Sequence, residues 1–384
     1  MKFFKGLACV AIIAFATTAF AQEAKPEEKV PEKPKVEVGG LAYLEWSKEL
    51  KHSDPTQTEN TNTFAIKRVY LDFKKKLDDM WSVRVTTDVG QVDSKGSKDY
   101  IETVTATDSN NDGNIDTVTT KKSKVESKTN GYTVFLKYAY VEAKEKFDFA
   151  DVKFNFGMIS TPLIGFVDKQ SDYRWLEQNY ADQAKTVLYS KAGKGESIDH
   201  SADMGLSLEV SMFNKLLTLT GAYTNGEGYK YADEVKLGDD GKTYYGMATI
   251  MPVKDLYIIG VYRNQETNDM IDDNYNMYYG GGLVYSDELF KVGAMYLLPE
   301  VSTKASKTAA TVENKYKLFD SWLNIRLDTI ISMPVIVVGR YAFGENKDVD
   351  KSKVTSWAAG LGYHVANGLR ALVYFQNVKS DALD

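Results

Sequence analysis

From Val36 onward, apolar and polar residues alternate with a period of two along most of the chain, the spacing of strands whose two faces meet different surroundings. Val69, Leu71 and Phe73 share one face, and Arg68, Tyr70, Asp72 and Lys74 the other. Beyond Asp78-Asp79, Val83, Val85 and Val89 oppose Arg84, Thr86 and Asp88. Val152, Phe154, Phe156 and Met158 oppose Lys153 and Asn155, and Met204, Leu206, Leu208, Val210 and Met212 oppose Asp203, Ser207, Glu209 and Ser211. Near the end, Leu369, Ala371, Val373 and Phe375 oppose Arg370, Tyr374 and Gln376. The pattern predicts fifteen strands, over 36–50, 62–77, 81–91, 131–146, 151–160, 203–213, 216–225, 243–251, 256–266, 275–286, 289–300, 315–328, 335–344, 354–365 and 369–378. Short connections alternate with long ones, the longest near 91–130 and 161–202. Pro252 and Pro334 fall in short turns, Pro55 and Pro162 in long loops and Pro299 at a strand end, so none removes a ladder hydrogen bond from a predicted strand. Helical periodicity is confined to a weak signal over 172–185.

Strands of about ten residues, apolar on one face and charged on the other, joined by alternating short and long connections, match an all-β fold of one kind: a transmembrane antiparallel β-barrel. Closure leaves no unpaired backbone edge in lipid. A soluble β-sandwich shares the alternation, so composition has to separate the two. Mean hydropathy of -0.35 excludes a bundle of transmembrane helices. A formal charge of -6 argues against a nucleic-acid partner. Twenty-five Tyr beside 17 Phe suits a surface that is both apolar and wet. Residues 1–21 read as a signal peptide: Lys2 and Lys5, an apolar run from Leu7 to Ala16, and Ala19-Phe20-Ala21 as the cleavage pattern. The single cysteine, Cys9, lies inside it, so residues 22–384 carry neither a disulfide nor a thiolate metal site. Residues 22–35, rich in Pro, Glu and Lys, read as a solvated periplasmic linker, and 36–384 as the barrel.

Gly157-Met158-Ile159-Ser160-Thr161-Pro162-Leu163-Ile164-Gly165, followed by Tyr173-Arg174-Trp175-Leu176-Glu177-Gln178, resembles the fifth-strand exit and pore loop of Gram-negative outer-membrane porins, and most nearly the phosphate-selective porin O/P type. Gly39-Gly40-Leu41-Ala42-Tyr43 and Ile66-Lys67-Arg68-Val69-Tyr70-Leu71-Asp72-Phe73 are similar to that family's first two strands, and Gly339-Arg340-Tyr341 to a late one. The resemblance implies a 16-stranded trimeric barrel in the outer membrane, a loop folded into the lumen, and passive diffusion of small hydrophilic solutes without a cofactor. Its phosphate specificity does not carry over, because that needs a basic ladder from the pore loop. Here the loop 161–202 offers a mixed set: Asp168, Lys169, Asp172, Arg174, Glu177, Asp182 and Lys185.

The alternation turns Arg68, Arg84, Arg326, Arg340 and Arg370 inward, with Asp72, Asp88, Asp203 and Glu209, while Val69, Leu71, Val83, Val85 and Tyr341 turn outward. Arginine stays charged and presents a fixed fork of donors, which suits passing anions. The inward carboxylates offer the other outcome, charges paired across the lumen and mixed selectivity. Within 161–202, Trp175, Leu176 and Tyr180 give the loop an apolar anchor, as an ordered constriction requires. Asp108, Asn110, Asp112, Gly113 and Asp116 match the early positions of a calcium loop, but Thr119 stands where a bidentate Glu belongs, and a plain hairpin tip uses the same residues. Two rival functions are a secreted β-protein binding carbohydrate or a surface partner, and a barrel enzyme. His52, His200 and His364 fall in loops or near a turn, there is no G-x-S-x-G, and Asp199-His200-Ser201 is sequential rather than a triad in space.

Fifteen strands leave the barrel odd, whereas bacterial single-chain barrels are even. Either the chain is truncated before a closing strand, or a strand lies within 91–130, where Tyr100 to Ala106 and Ile115 to Thr120 look extended. A hairpin there would add two strands and keep the count odd, which favours truncation.

Overall fold

A computed structural model of the chain describes residues 36–48, 62–93, 98–107, 117–126, 130–172, 174, 176, 179–182, 188, 198–230, 241–266, 274–304, 310–327, 333–366 and 369–381. The strands are β1 (Glu37–Lys48), β2 (Asn62–Lys76), β3 (Trp81–Asp93), β4 (Lys98–Thr107), β5 (Thr117–Glu126), β6 (Asn130–Lys146), β7 (Ala150–Ser160), β8 (Ala202–Met212), β9 (Leu217–Thr224), β10 (Thr243–Val253), β11 (Leu256–Glu266), β12 (Tyr275–Ser286), β13 (Phe290–Thr303), β14 (Val312–Arg326), β15 (Val335–Asn346), β16 (Val354–Ala366) and β17 (Leu369–Ser380). Among the described residues one helix, α1 (Pro162–Ser171), follows β7. Fifteen strands form a single antiparallel meander, each paired with its sequence neighbours except that β3 pairs with β6. The intervening β4 and β5 pair only with each other, so the hairpin expected within 91–130 exists and adds nothing to the main sheet. The candidate calcium residues Asp108, Asn110, Asp112 and Asp116 lie outside the described residues.

The outward face carries an apolar belt on strand after strand: Leu71, Val85, Phe156, Leu208, Ile258, Leu283, Tyr341, Leu361 and Phe375 are all exposed. No helix among the described residues is long and apolar enough to cross a membrane. Large apolar side chains left uncovered around a sheet of this size need an apolar medium against them.

Away from the hairpin turns, where the β10–β11 and β16–β17 ladders also slip by one residue, two one-residue bulges adjust the alternation. Tyr43 pairs with Arg68 and Leu44 with Ile66, leaving Lys67 extra in β2. Thr86 pairs with Tyr138 and Thr87 with Leu136, leaving Lys137 extra in β6. Each extra residue reverses the parity beyond it. Val69, Leu71 and Phe73 face outward on one side of Lys67, but Ile66 and Phe64 on the other, with Phe64 84% exposed. A third irregularity corrects an expected lipid contact. Met158, placed by alternation beside Phe156, is buried against Ala202 and Tyr229. Gly157 between them has φ 127°, and a Cβ there would lie 2.2 Å from the Ala139 carbonyl oxygen.

β13 and β10 run past their expected ends, so Pro299, and Pro252 at the end of β10, fall within strands after all. The ladder to β14 lapses at Pro299: Leu297 pairs with Leu318 and Glu300 with Lys315, and the two pairs between are missing, as a residue without an N–H requires. At the other limit of the sheet, no ladder joins β1 to β17 among the described residues. The two edges meet through a side chain, the Tyr374 hydroxyl lying 3.0 Å from Glu45 Oε2.

Gly157→Ala is expected to lower stability by about 1–3 kcal/mol through backbone strain, before the clash with Ala139 is added. Gly246→Ala, where a Cβ meets nothing within 4 Å, should change it by less than about 1 kcal/mol. Urea unfolding in detergent, followed by tryptophan fluorescence, compares them; equal midpoints would refute the reading of Gly157.

Candidate functional site

The chain leaves β7 through Thr161, whose hydroxyl donates to the His200 carbonyl at 2.5 Å and so joins the start of the loop to its end. Pro162 opens α1 at a position where its missing N–H costs nothing, and Asp172 closes the helix in the left-handed region at φ 54°. The helix therefore lies upstream of the weak periodicity read over 172–185. It buries Leu163, Ile164 and Val167 and leaves Lys169 exposed.

Those buried side chains, with Leu176, Tyr180, Leu188 and Ile198 from the rest of the loop, pack on Met247, Ile259, Met295, Leu297 and Leu318 of β10, β11, β13 and β14. The expected charged inner face is thus replaced on this side by an apolar one. The physical reason is that the loop excludes water there, so an unpaired charge would be costly. Leu176 and Tyr180 supply the expected anchor; Trp175, Glu177 and Lys185 lie outside the described residues.

Polar contacts tie the loop down where the apolar contact ends. Arg340 grips Asp320 with two bonds, Nε to Oδ1 at 3.0 Å and Nη2 to Oδ2 at 2.7 Å. The Tyr180 N–H donates to Asp320 Oδ2 at 3.2 Å, and its ring lies 4.4 Å beneath the Arg340 guanidinium. Asp199 is fully buried and accepts from the Tyr245 hydroxyl at 2.7 Å and the Tyr278 hydroxyl at 2.6 Å, with Arg263 Nε 3.7 Å away. Burial pushes the Asp199 carboxyl above its ordinary range, while Arg263 and the two hydroxyls act in the opposite direction. Arg174 bonds Asp168, reaches Asp182 at 3.2 Å and Ser201 at 3.3 Å, and donates to the Tyr70 hydroxyl of β2 at 3.3 Å. Arg370 reaches Asp172 at 2.8 Å.

Across the interior the wall keeps its charges, and those of Arg68, Arg84, Lys153 and Lys67 are paired. Arg68 meets Asp88 at 2.5 Å, and the Tyr229 hydroxyl donates to the same carboxylate at 2.5 Å. Arg84 Nε bonds Asp72 at 2.7 Å, and the Thr86 hydroxyl bonds the same oxygen. Lys153 meets Glu209 at 2.8 Å, and Lys67 meets Glu45 at 2.9 Å. Asp203 accepts from Thr224 and from the Gly226 N–H, so it organises the chain leaving β9. Arg326 stands partly buried at an inward position of β14.

Sequence reasoning missed Asp320, Arg263, Tyr245, Tyr278 and Lys137. The available signal for Arg263 was a lone arginine in phase with Ile259 and Val261, which a buried carboxylate would explain. Lys137 is hidden by its bulge. It is 2% exposed, and its ammonium lies 4.7 Å from the Tyr70 ring centroid, 5.5 Å from that of Tyr138 and 5.7 Å from that of Tyr229. Asp199 and Ser201 are committed to Tyr245, Tyr278 and Arg174, so Asp199-His200-Ser201 assembles no triad.

No protein-family model matches the chain, and no curated protein does. Solved structures do. OmpF of Salmonella typhi, in a complex with daunomycin, is 9% identical over 89% of this chain and 90% of that one, with a TM-score of 0.54. The anion-selective porin from Comamonas acidovorans is 11% identical over 90% of each chain, with a TM-score of 0.54. OmpT, an outer membrane protein of Vibrio cholerae solved in a trimer form, is 10% identical over 91% of this chain and 90% of that one, with a TM-score of 0.51. At such identities the likeness is one of fold: an antiparallel β-barrel.

Removing one partner of the buried Asp320–Arg340 pair leaves the other charge stranded. Asp320→Ala should therefore cost about 3–5 kcal/mol, whereas Asp320→Leu with Arg340→Met should cost far less. Urea midpoints of the two variants decide it; similar losses would show that the pair is not buried as described.

Proposed function

We propose that the chain is an outer-membrane diffusion channel that lets small hydrophilic solutes cross passively, down their own gradients. One observation carries this: a barrel sheet turns an apolar belt outward, keeps a charged, polar wall over β1–β3 and β6–β8 inside, and folds a loop against the opposite half of its interior. In this reading residues 1–21 direct export and are removed near Ala21, residues 22–35 stay periplasmic, and the barrel self-associates as a trimer.

The pore runs between the loop and the wall of β1–β3 and β6–β8. Arg68, Asp72, Arg84 and Glu209 line it from the strands, with the buried Asp88 holding Arg68 from behind, and Asp168, Lys169, Asp172 and Arg174 line it from the loop. Arg326 and Arg340 take no such part, since both lie on the half that the loop covers. Selectivity follows from pairing. Among the described residues, Arg68, Arg84, Arg174, Arg263, Arg340 and Arg370 each have a carboxylate within 4.0 Å. A charge neutralised by its neighbour adds little net field for a passing ion, so the channel discriminates weakly by sign, with at most a mild anion preference from Lys169. The resemblance to the O/P type reaches the strand motifs but not phosphate selectivity.

In planar bilayers under a tenfold salt gradient, the purified protein should give discrete conductance steps. Their reversal potential should fall well below the limit of about 59 mV for a perfectly selective pore of monovalent ions. Absence of steps from protein shown to be inserted would sink the proposal. Lys169→Glu should shift the potential toward cations, and no shift would remove α1 from the constriction. Arg174→Glu is a poorer probe, because it also breaks the contacts to Asp168, Asp182 and Tyr70.

A further inference from the structure

The outward belt is interrupted by small residues in more than one place, among them Gly246 of β10 and Gly260 of β11, and the patch on β13–β15 is walled into a groove. Ala294 of β13, Ser321 of β14 and Gly339 of β15 are small where their neighbours are large: Ala294 pairs with Ser321, and Gly339, opposite Leu323, lies diagonally from Ser321, which pairs with Tyr341. A Cβ added at Gly339 would meet nothing within 4 Å. The result is a groove of about 550 Å³, walled by Leu283, Val292 and Tyr341, whose side chains stand clear of the sheet at 53%, 40% and 42% exposure. That volume falls within the roughly 300–1,000 Å³ of small-molecule sites. The groove occupies the half of the barrel nearer the short turns, since Ala294 lies a few residues from the turn that opens β13 at Phe290.

Its lower end carries charge of both signs. Tyr285 lines the groove and donates its hydroxyl to Asp287 at 2.8 Å. The neighbouring turn is tied to this one by the Ser286 N–H, which donates to the Asp255 carbonyl at 2.9 Å. It presents Lys254, almost wholly exposed and 3.8 Å from Asp255.

We propose that this groove seats one acyl chain of a phospholipid whose headgroup lies against the Lys254–Asp255 and Asp287 turns. The inference rests on the membrane-spanning part of the proposed function, because this face meets hydrocarbon only if the belt is in the bilayer. A narrow trough with a floor of small residues fits a polymethylene chain. Lys254 faces a phosphate, and Asp255 with Asp287 faces an ammonium, which is the charge layout of phosphatidylethanolamine. A second copy of the barrel fits less well, because its outward face is convex and carries the same bulky belt.

The test uses the full chain purified in mild detergent, supplied with phosphatidylethanolamine and weighed intact by native mass spectrometry. Wild type should retain one lipid. Gly339→Leu with Ala294→Leu, which fills the floor, should bind it at least tenfold more weakly while keeping its heat-dependent gel mobility. Leu208→Ala, on the outward face of β8, should bind it as wild type does. Lys254→Glu should weaken retention without filling the floor. Unchanged retention in the filled variant overturns the proposal. So does a filled variant that loses self-association yet keeps the lipid, which would hand the groove to a second copy. Flotation with liposomes separates the two readings. Wild type that floats but retains no lipid refutes the groove alone, and wild type that does not float refutes the membrane reading on which it rests.

Discussion

The contact between α1 and the inner faces of β10–β14 governs how the interior is divided. Once Leu163, Ile164 and Val167 lie against Met247, Ile259 and Met295, water is excluded from that half, and each ionised group left there needs a partner. Asp320 has Arg340, and Asp199 has two tyrosine hydroxyls and Arg263. On the opposite wall, over β1–β3 and β6–β8, Asp72, Arg84, Lys153 and Glu209 keep charges that water can reach, while Asp88 and Lys137 are buried. The loop is thus less a flap hung in a pipe than one side of a small core, with the sheet as the other side. Its position is set by burial, and its ionic contacts follow from that burial.

Alternation made the fifteen strands of the main sheet legible, because a two-sided strand between lipid and water leaves a strong period-two imprint. It failed where the chain departs from ideal geometry. Met158 faces the interior because Gly157 turns the strand, and Pro299 sits within β13 because a strand can lose two ladder pairs and continue. The helix α1 escaped because ten residues spanning barely three turns, with a proline at the start, carry little periodicity of their own. Of the site, the inward arginines were legible as residue types in phase. Their partners were not, because Asp320 for Arg340 and Asp199 for Arg263 are brought together by register and by loop return, which no local pattern encodes.

The pairing of arginines also explains why a count of inward cations is a poor guide to selectivity. Arg68, Arg84 and Arg370 all face the interior, yet each is held by a carboxylate of a neighbouring strand or of the loop. Such pairs fix side chains more than they generate field, since a guanidinium held in two bonds loses most of its freedom to follow a solute. The wall is therefore polar and ordered, with its charges in dipolar rows rather than ladders of one sign.

The two bulges bear on how such a sequence can change. Lys67 and Lys137 act on the two-letter pattern as a frameshift acts on a codon: everything beyond them is read in the other phase. Substitutions along β2 or β6 affect one face at one level, but loss of a single residue would exchange lipid-facing and water-facing side chains from that point to the strand's end. Insertions and deletions in these strands are thus tolerated only at the bulges or in compensating pairs. The lineage of such a barrel should accumulate length variation in its loops while its strands keep their residue count.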